Sequence, residues 1–130
     1  MRRVVVTGLG IVSPFGRGVE YNWKQLLDGK SGIRKIEGVD LKDIPVEIAG
    51  QVPFGEGEHD FNPDTVMPPK DQKKNDKFIM YGMAAGDDAL KDAGWNVETA
   101  SEEEKNRAGV MMGSGIGGLQ VIYDNSISFH

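Results

Sequence analysis

The 130-residue sequence contains no cysteine, and its only histidines are His59 and His130. The lack of thiols excludes disulfides and a cysteine nucleophile within these residues, and it agrees with a reducing cytoplasm. His59 lies among glycines and acidic residues in segment 55–60, a composition typical of an exposed loop. We therefore predict an inert surface histidine there, not a metal ligand or a general base.

Long apolar runs are missing too, and acidic residues outnumber basic ones. No stretch reaches the roughly 18 consecutive apolar residues of a membrane-spanning helix. The formal net charge of −5 disfavours general nucleic-acid binding, because the phosphates would be repelled. We expect neither a membrane nor a nucleic acid among the partners of this chain.

Glycine, in contrast, is abundant: the chain has 18 glycines and only 38% hydrophobic residues. Average usage of glycine in globular proteins is about 7%. Such a composition suits tight loops around a site, and it also suits a piece of a larger hydrophobic core.

The first half of the chain predicts short elements. Val4–Leu9 is a β-branched run typical of a strand buried on both faces. Further predictions are a helix over Glu20–Asp28 with Trp23, Leu26 and Leu27 on one side and Gly29 at its end, a mostly irregular segment Lys30–Asp43, a strand over Val46–Val52, and a connection over Pro53–Pro69.

The second half predicts one long helix over Asp71–Ala93, ended by Gly94. Ser101 begins a run of three glutamates and is predicted to cap a helical turn. Ala108–Met112 reads as a second buried strand, followed by a Gly-rich loop and a helix. Alternating strands and helices favour an α/β fold with parallel strands. The apolar stripe predicted on the long helix comprises Phe78, Ile79, Met83, Leu90 and Ala93, with small Ala85, Gly86 and Ala89 between them.

The loop Gly113–Gly118 satisfies the pattern G-x-G-x-x-G between a predicted strand and a predicted helix. That context is the one that a dinucleotide site requires, with loop amides on the pyrophosphate. The same loop can equally be a tight turn with Ile116 in the core. A third reading is a ligand pocket, because glycines let a backbone approach a ligand and one branched side chain then sets the pocket depth.

Four lysines are spaced at i, i+3, i+4 and i+7 on the predicted long helix: Lys70, Lys73, Lys74 and Lys77. This spacing predicts one cationic stripe. A solvated surface is the usual role of such a run, but an acidic partner would also find its local attraction here on an otherwise acidic chain.

Three segments resemble one known family. Residues 1–18, with their valine run and glycines, resemble the opening of the β-ketoacyl-acyl-carrier-protein synthases, particularly the elongating condensing enzymes of fatty-acid synthesis. Residues 110–118 and 68–78 resemble two further segments of that family, although Asn75 replaces a common methionine. The implied fold is the α/β thiolase-like layered fold, of which residues 1–130 would be the N-terminal part of the first half, with no internal domain boundary.

The resemblance also implies a function for these segments. By the match, Gly115, Ile116 and Gly117 would line the acyl pocket, and Lys70, Lys73 and Lys74 would dock the acidic acyl carrier protein. The intact family member would be a homodimeric, cytoplasmic acyltransferase that condenses acyl and malonyl thioesters without a cofactor or a metal. No catalytic residue of the family matches a position in this chain, so these 130 residues alone are expected to be inactive.

Two alternatives stay open from the sequence. One is a small nucleotide-binding α/β module that uses the Gly113–Gly118 loop. The other is a non-catalytic carrier-binding domain that is stable by itself. Cofactor titration distinguishes the first from a synthase segment, because the synthases need no nucleotide.

Overall fold

The structure is a computed structural model that describes residues 2–128, in which the chain forms two compact units. One unit is formed by residues 11–62, and the other combines the N-terminal segment through Gly10 with the chain from Pro63 onward. The first unit contains β1 (Val12–Ser13), β2 (Gly16–Arg17), α1 (Val19–Leu27), β3 (Arg34–Lys35) and β4 (Ile48–Ala49). The second contains a 3-10 turn (Pro63–Thr65), α2 (Pro69–Gln72), α3 (Lys77–Asp92), α4 (Glu102–Arg107) and α5 (Leu119–Ser128).

A tight hairpin opens the first unit. Strands β1 and β2 pair antiparallel, with Val12 opposite Arg17 and Ser13 opposite Gly16. Gly16 has φ +127°, a value that favours glycine over any residue with a Cβ. The positive φ therefore explains why glycine follows the Pro14–Phe15 turn.

The hairpin is fastened to α1 by the buried side chain of Asn22. Its Nδ2 donates to the carbonyl oxygens of Gly16 at 3.0 Å and Gly18 at 2.8 Å. Its Oδ1 accepts from the hydroxyl of Ser13. Because a buried amide costs free energy unless it is hydrogen-bonded, this network determines how the hairpin meets the helix.

A second antiparallel pair is extended by a side chain. Strand β3 pairs with β4, with Arg34 opposite Ala49. Beyond the pair, the amide of Gln51 accepts from the Glu37 N–H at 2.8 Å and donates to the Glu37 carbonyl at 3.1 Å. Gln51 thus imitates one further step of a β ladder. The predicted strand Val46–Val52 is wrong in length, because only Ile48 and Ala49 have strand hydrogen bonding.

A fully buried aromatic side chain of this unit is that of Phe61, which has no exposed surface. Its ring lies edge-on to Phe54, with centroids 5.3 Å apart, a favourable aromatic geometry. The backbone N–H of Phe61 donates to the carbonyl of Pro53 at 2.8 Å. The predicted connection over Pro53–Pro69 thus includes a packed aromatic pair.

In the second unit, the predicted helix over Asp71–Ala93 is interrupted. Helix α2 ends at Gln72, and α3 begins at Lys77. The side chain of Asp76 accepts from the Lys77 N–H at 2.7 Å, so it caps α3 where a continuous helix would require helical backbone. At the other end the prediction is confirmed, since Gly94 has φ +67° and ends the helix.

Helix α3 meets the N-terminal segment through small residues. A methyl group on Gly8 would lie 2.6 Å from the nitrogen of Ala93, and one on Gly10 would lie 2.8 Å from the nitrogen of Ala89. The N–H of Leu9 also donates to Oδ2 of Asp92 at 2.9 Å. Glycine is therefore required here by close backbone approach rather than by a special φ.

The predicted apolar stripe of α3 is only partly buried. Phe78 is 39% exposed, Met83 42% and Leu90 36%, whereas Met80 and Ala84 are buried. The close backbone contacts to the N-terminal segment come instead from the small residues Ala85, Ala89 and Ala93. Small side chains occur at this contact because they let the two backbones approach each other closely.

The two predicted buried strands are corrected by the structure. Within the described residues, Val4–Leu9 and Ala108–Met112 have no strand hydrogen bonding, and the strand pairs present are antiparallel. Val4 is 92% exposed and Met111 98% exposed. A β-branched run has side chains that suit a sheet, but it does not provide the neighbouring strand. Without that partner its backbone forms no strand hydrogen bonds. No helix in the described part of the chain is long and apolar enough to cross a bilayer.

The remaining helical predictions are confirmed. Helix α1 matches the predicted Glu20–Asp28 helix, and α5 follows the Gly-rich loop as predicted. Helix α4 begins with a capping box, in which Ser101 Oγ accepts from the Glu104 N–H at 3.3 Å and a Glu104 carboxylate oxygen accepts from the Ser101 N–H at 2.8 Å. These elements are decided by local chemistry, so the local sequence predicts them.

Candidate functional site

The Gly-rich loop lies directly before α5 and exposes its single large side chain. Ile116 is 74% exposed, and residues 113–117 have no helical or strand hydrogen bonding. Gly117 has φ +83°, so the loop turns through a conformation that favours glycine. The predicted pocket residue Ile116 therefore stands out from a backbone with little else around it.

Space beside the loop is open at three of its glycines. A methyl group built on Gly113, Gly115 or Gly117 meets no atom within 4 Å in the described structure. These glycines are thus not required by packing inside this chain. Open space on one side of a glycine backbone is what a ligand or another chain segment would occupy.

Gly118, in contrast, is tightly packed. A methyl group on Gly118 would overlap Oδ2 of Asp76 and lie 3.0 Å from Cβ and Cγ of the same residue. Gly118 is also the residue from which α5 starts, since its carbonyl accepts from the Ile122 N–H at 3.0 Å. The Asp76 carboxylate therefore lies beside the N-terminal end of α5 as well as capping α3.

This carboxylate affects a neighbouring tyrosine. The pKa of Tyr81 is raised above its usual value, chiefly by burial of the phenol and secondarily by the negative charge of Asp76. Both causes disfavour the phenolate. Tyr81 therefore stays a neutral phenol at physiological pH.

The lysines predicted to form one helical stripe do not share a helix. Lys70 lies in α2, Lys73 is the C-terminal cap of α2, and Lys77 is the first residue of α3. The continuous stripe is wrong because Asp76 starts a new helix. Lys70, Lys73 and Lys74 are nevertheless all exposed, and none of the three has an ion-pair partner within residues 2–128. We call segment 70–74 the basic segment.

Polar side chains hold the basic segment in place. Gln72 Nε2 donates to Asp64 Oδ1 at 2.7 Å and to the Met67 carbonyl at 2.8 Å. Asn75 Nδ2 donates to the Asp71 carbonyl at 2.9 Å and contacts the Met67 sulfur at 3.5 Å. Asn75 therefore supports the turn between α2 and α3.

His59 has a structural role that its loop composition did not indicate. Its ring stacks on Tyr21 with centroids 3.7 Å apart, and its carbonyl accepts from the Arg17 N–H at 2.8 Å. The loop is less exposed at His59 than its composition predicts, since the residue is half-buried. His130 lies outside the described residues. No cluster of metal-ligating side chains occurs among the residues described.

Two surface grooves among the described residues lie elsewhere, and Trp95 lines both of them. One of about 540 Å³ is lined in part by Ser101 and Arg107, and one of about 640 Å³ by Leu90 and Val97. Neither includes the basic segment or the glycine loop.

The site residue that sequence reasoning missed is Asp76, and its signal was available as an aspartate directly before a helical apolar pattern.

Comparison with known proteins supplies the family. The family model described as the N-terminal domain of β-ketoacyl synthase matches residues 1–128. The chain belongs to the β-ketoacyl synthase family. Among β-ketoacyl synthases, the 3-oxoacyl-[acyl-carrier-protein] synthase 2 of Rhizobium meliloti is 51% identical over 95% of the chain, and that of Vibrio harveyi is 48% identical over 93%. The chain spans 29% and 27% of these two relatives.

A solved structure supports the same relationship. The ishigamide ketosynthase/chain length factor is 34% identical and superposes with a TM-score of 0.63 over 78% of this chain and 24% of its own. The described residues thus follow the path of a ketosynthase segment. The layered thiolase-like sheet is not formed within them, since only two-residue strand pairs are present.

Proposed function

We propose that this chain is the N-terminal segment of an elongating 3-oxoacyl-acyl-carrier-protein synthase with the thiolase-like fold. The observation that carries the proposal is the 51% identity to such a synthase over 95% of the chain. The exposed apolar residues of the two corrected strand segments are consistent with it, because an unpaired β-branched run is what one part of a larger sheet presents. The segment has no internal domain boundary in this proposal.

The reaction would use groups that lie outside these residues. A cysteine thiolate attacks the acyl-carrier thioester, forms an acyl-enzyme thioester and releases the carrier thiol. Malonyl-carrier loses carbon dioxide, and the resulting carbanion attacks the acyl-enzyme carbonyl. The thiolate is expelled, and a 3-oxoacyl-carrier two carbons longer is formed. None of these steps needs a cofactor or a metal.

The residues of this chain would bind the acyl carrier protein and orient the acyl chain. The exposed Lys70, Lys73 and Lys74 form no ion pair with another residue of the described range 2–128, so their charges are available to an acidic acyl carrier protein. The glycine loop has open space on one side and Ile116 projecting from it. An acyl chain beside Gly115 and Gly117 would meet that side chain first. Homodimer formation and a cytoplasmic location stay predictions of this proposal.

A nucleotide site at the same loop is disfavoured by charge. The carboxylate of Asp76 lies at Gly118, where α5 begins. A pyrophosphate at that helix N-terminus would meet this negative charge, whereas nucleotide sites present amides and cations there. The segment before the loop also lacks strand hydrogen bonding.

The deciding experiment compares the full-length protein with residues 1–130. With acyl-carrier and malonyl-carrier, the full-length protein should yield 3-oxoacyl-carrier and, without malonyl-carrier, an acyl adduct by intact mass. Residues 1–130 should yield neither, because they contain no thiol. A full-length protein that forms no adduct and no product, or a 1–130 chain that becomes acylated, would overturn the proposal.

A further inference from the structure

We propose that Asp76 is a positioning residue that, from the start of α3, holds the end of the glycine loop in place. This inference rests on the proposed function, since it assigns the glycine loop to the acyl pocket. It concerns one carboxylate whose two oxygens face two different elements of the same compact unit.

One oxygen of the Asp76 carboxylate caps α3. Oδ1 of Asp76 accepts from the Lys77 N–H at 2.7 Å and so determines where α3 begins. Lys74 lies two positions before Asp76, in the turn whose backbone includes a hydrogen bond from the Lys74 N–H to the Asp71 carbonyl at 3.0 Å. Asp76 therefore follows a short, hydrogen-bonded turn that fixes its place at the start of α3.

The other oxygen of the Asp76 carboxylate lies beside Gly118, at the end of the glycine loop. Oδ2 lies so close to the Cβ position of residue 118 that a side chain there would overlap it. Gly118 lies two positions after Ile116 and starts α5. The position of the Asp76 carboxylate therefore limits where the end of the loop can lie, and through it the placement of the Ile116 side chain.

The charge fits this double contact. A carboxylate is stabilised near a helix N-terminus, because the first N–H groups and the helix dipole are positive there. Asp76 lies beside the N-terminal ends of both α3 and α5, which have 16 and 10 residues. The raised pKa of Tyr81 reports the same charge on a third neighbour.

The contact makes a double-mutant cycle possible in the full-length protein. Asp76→Ser keeps a good helix cap but removes the oxygen that faces Gly118. Gly118→Ala adds the methyl group that collides with that oxygen. We expect Gly118→Ala alone to lower kcat for a long-chain acyl group about tenfold, and to have an effect of less than about threefold in the Asp76→Ser background. In the Asp76→Asn background, where the side chain keeps its bulk, the tenfold effect should persist.

A comparison of two acyl donors, acyl-carrier and acyl-pantetheine, distinguishes a displaced glycine loop from a damaged docking surface. The Gly118→Ala loss should be equal for acyl-carrier and for the acyl-pantetheine thioester, with an unchanged KM for the carrier, because the pocket loop rather than the docking surface is displaced. Equal effects of Gly118→Ala in the wild-type and Asp76→Ser backgrounds would overturn the inference. So would a loss seen only as a raised KM for the carrier.

Failure of the proposed function gives a different result. In that case the wild-type protein itself makes no 3-oxoacyl product from either donor. If the wild-type protein is active and the effects of the Asp76 and Gly118 substitutions are additive, the role of Asp76 is rejected and the proposed function stands. If Asp76→Ser does not fold, the comparison of Gly118→Ala with Gly118→Ser in the wild-type background replaces it. The larger side chain must then give the larger loss, and equal losses would reject the contact.

Discussion

The backbone of Gly10 lies against Ala89 of α3, so closely that a methyl group on Gly10 would be 2.8 Å from the Ala89 nitrogen. The same methyl group would overlap the carbonyl oxygen of Ala85. A helix backbone cannot give way as a flexible side chain can. The N-terminal segment and α3 therefore meet through a contact that only glycine allows.

Gly10→Ala should destabilise the full-length protein. Overpacking against backbone costs about 1–3 kcal/mol, so the free energy of unfolding in urea should fall by that amount. The matched control is Gly86→Ala in the interior of α3, where an added methyl group meets nothing within 4 Å. That variant should gain about 0.5–1 kcal/mol from helix propensity. Equal effects of the two substitutions would contradict the close approach at Gly10.

Charge reversal in the basic segment should weaken carrier use. Replacing Lys70, Lys73 and Lys74 with glutamate should raise the KM for acyl-carrier about tenfold at low salt, or about 1.4 kcal/mol. The difference from the wild-type protein should shrink as salt is added, because screening weakens exposed charge pairs. The KM for acyl-pantetheine should not change.

The control for charge reversal is an equal change elsewhere. Lys24, Lys42 and Lys91 are exposed as well, and their triple replacement with glutamate gives the same net charge. A KM for acyl-carrier raised equally by both triple variants would show a general charge effect and no docking surface at the basic segment.

Ile116→Phe should shorten the acyl chains that the full-length protein accepts. If Ile116 limits the pocket depth, added bulk costs about 1–3 kcal/mol against a long chain, a loss of roughly 10–100-fold in kcat/KM. Acetyl and butyryl transfer should survive. Ile122→Phe on α5 adds the same bulk to another exposed isoleucine and should leave the chain-length profile unchanged. Long and short chains slowed alike would place Ile116 outside the pocket.

The capping box of α4 predicts a pH dependence. Hydrogen bonds from the Ser101 N–H and hydroxyl lower the pKa of Glu104. Because the folded pKa lies below the unfolded one, the stabilising contribution is present above the ordinary glutamate pKa and is lost as the pH falls through the lowered folded value. In an NMR titration between about pH 2 and pH 7, Ser101→Ala should raise the Glu104 pKa part of the way toward its usual value, because the hydroxyl hydrogen bond is lost and the backbone N–H of residue 101 remains.

Thr99→Ala is the control for this titration, because it removes a nearby hydroxyl that bonds the Asn96 carbonyl instead. It should leave the Glu104 pKa unchanged. A Glu104 pKa that does not respond to Ser101→Ala would contradict the contribution of the Ser101 hydroxyl to the lowered pKa.

The sequence by itself determined the elements whose causes are local. Ser101 and Glu104 cap α4 because their side chains reach backbone groups three residues away. Gly94 ends α3 because it adopts a positive φ that other residues avoid. The family followed from residues 1–18, 68–78 and 110–118, since their resemblance requires no knowledge of packing.

Only the tertiary structure decided what depends on residues far apart in sequence. Val4–Leu9 has the side chains of a strand, but strand pairing needs a partner that the run itself does not encode. The packing of Gly118 against Asp76 likewise follows from a contact between residues 42 positions apart. Helical periodicity reports which face a helix buries, whereas such contacts depend on how separate segments meet in space. That is why the position of Ile116 relative to Asp76 became visible only in the folded chain.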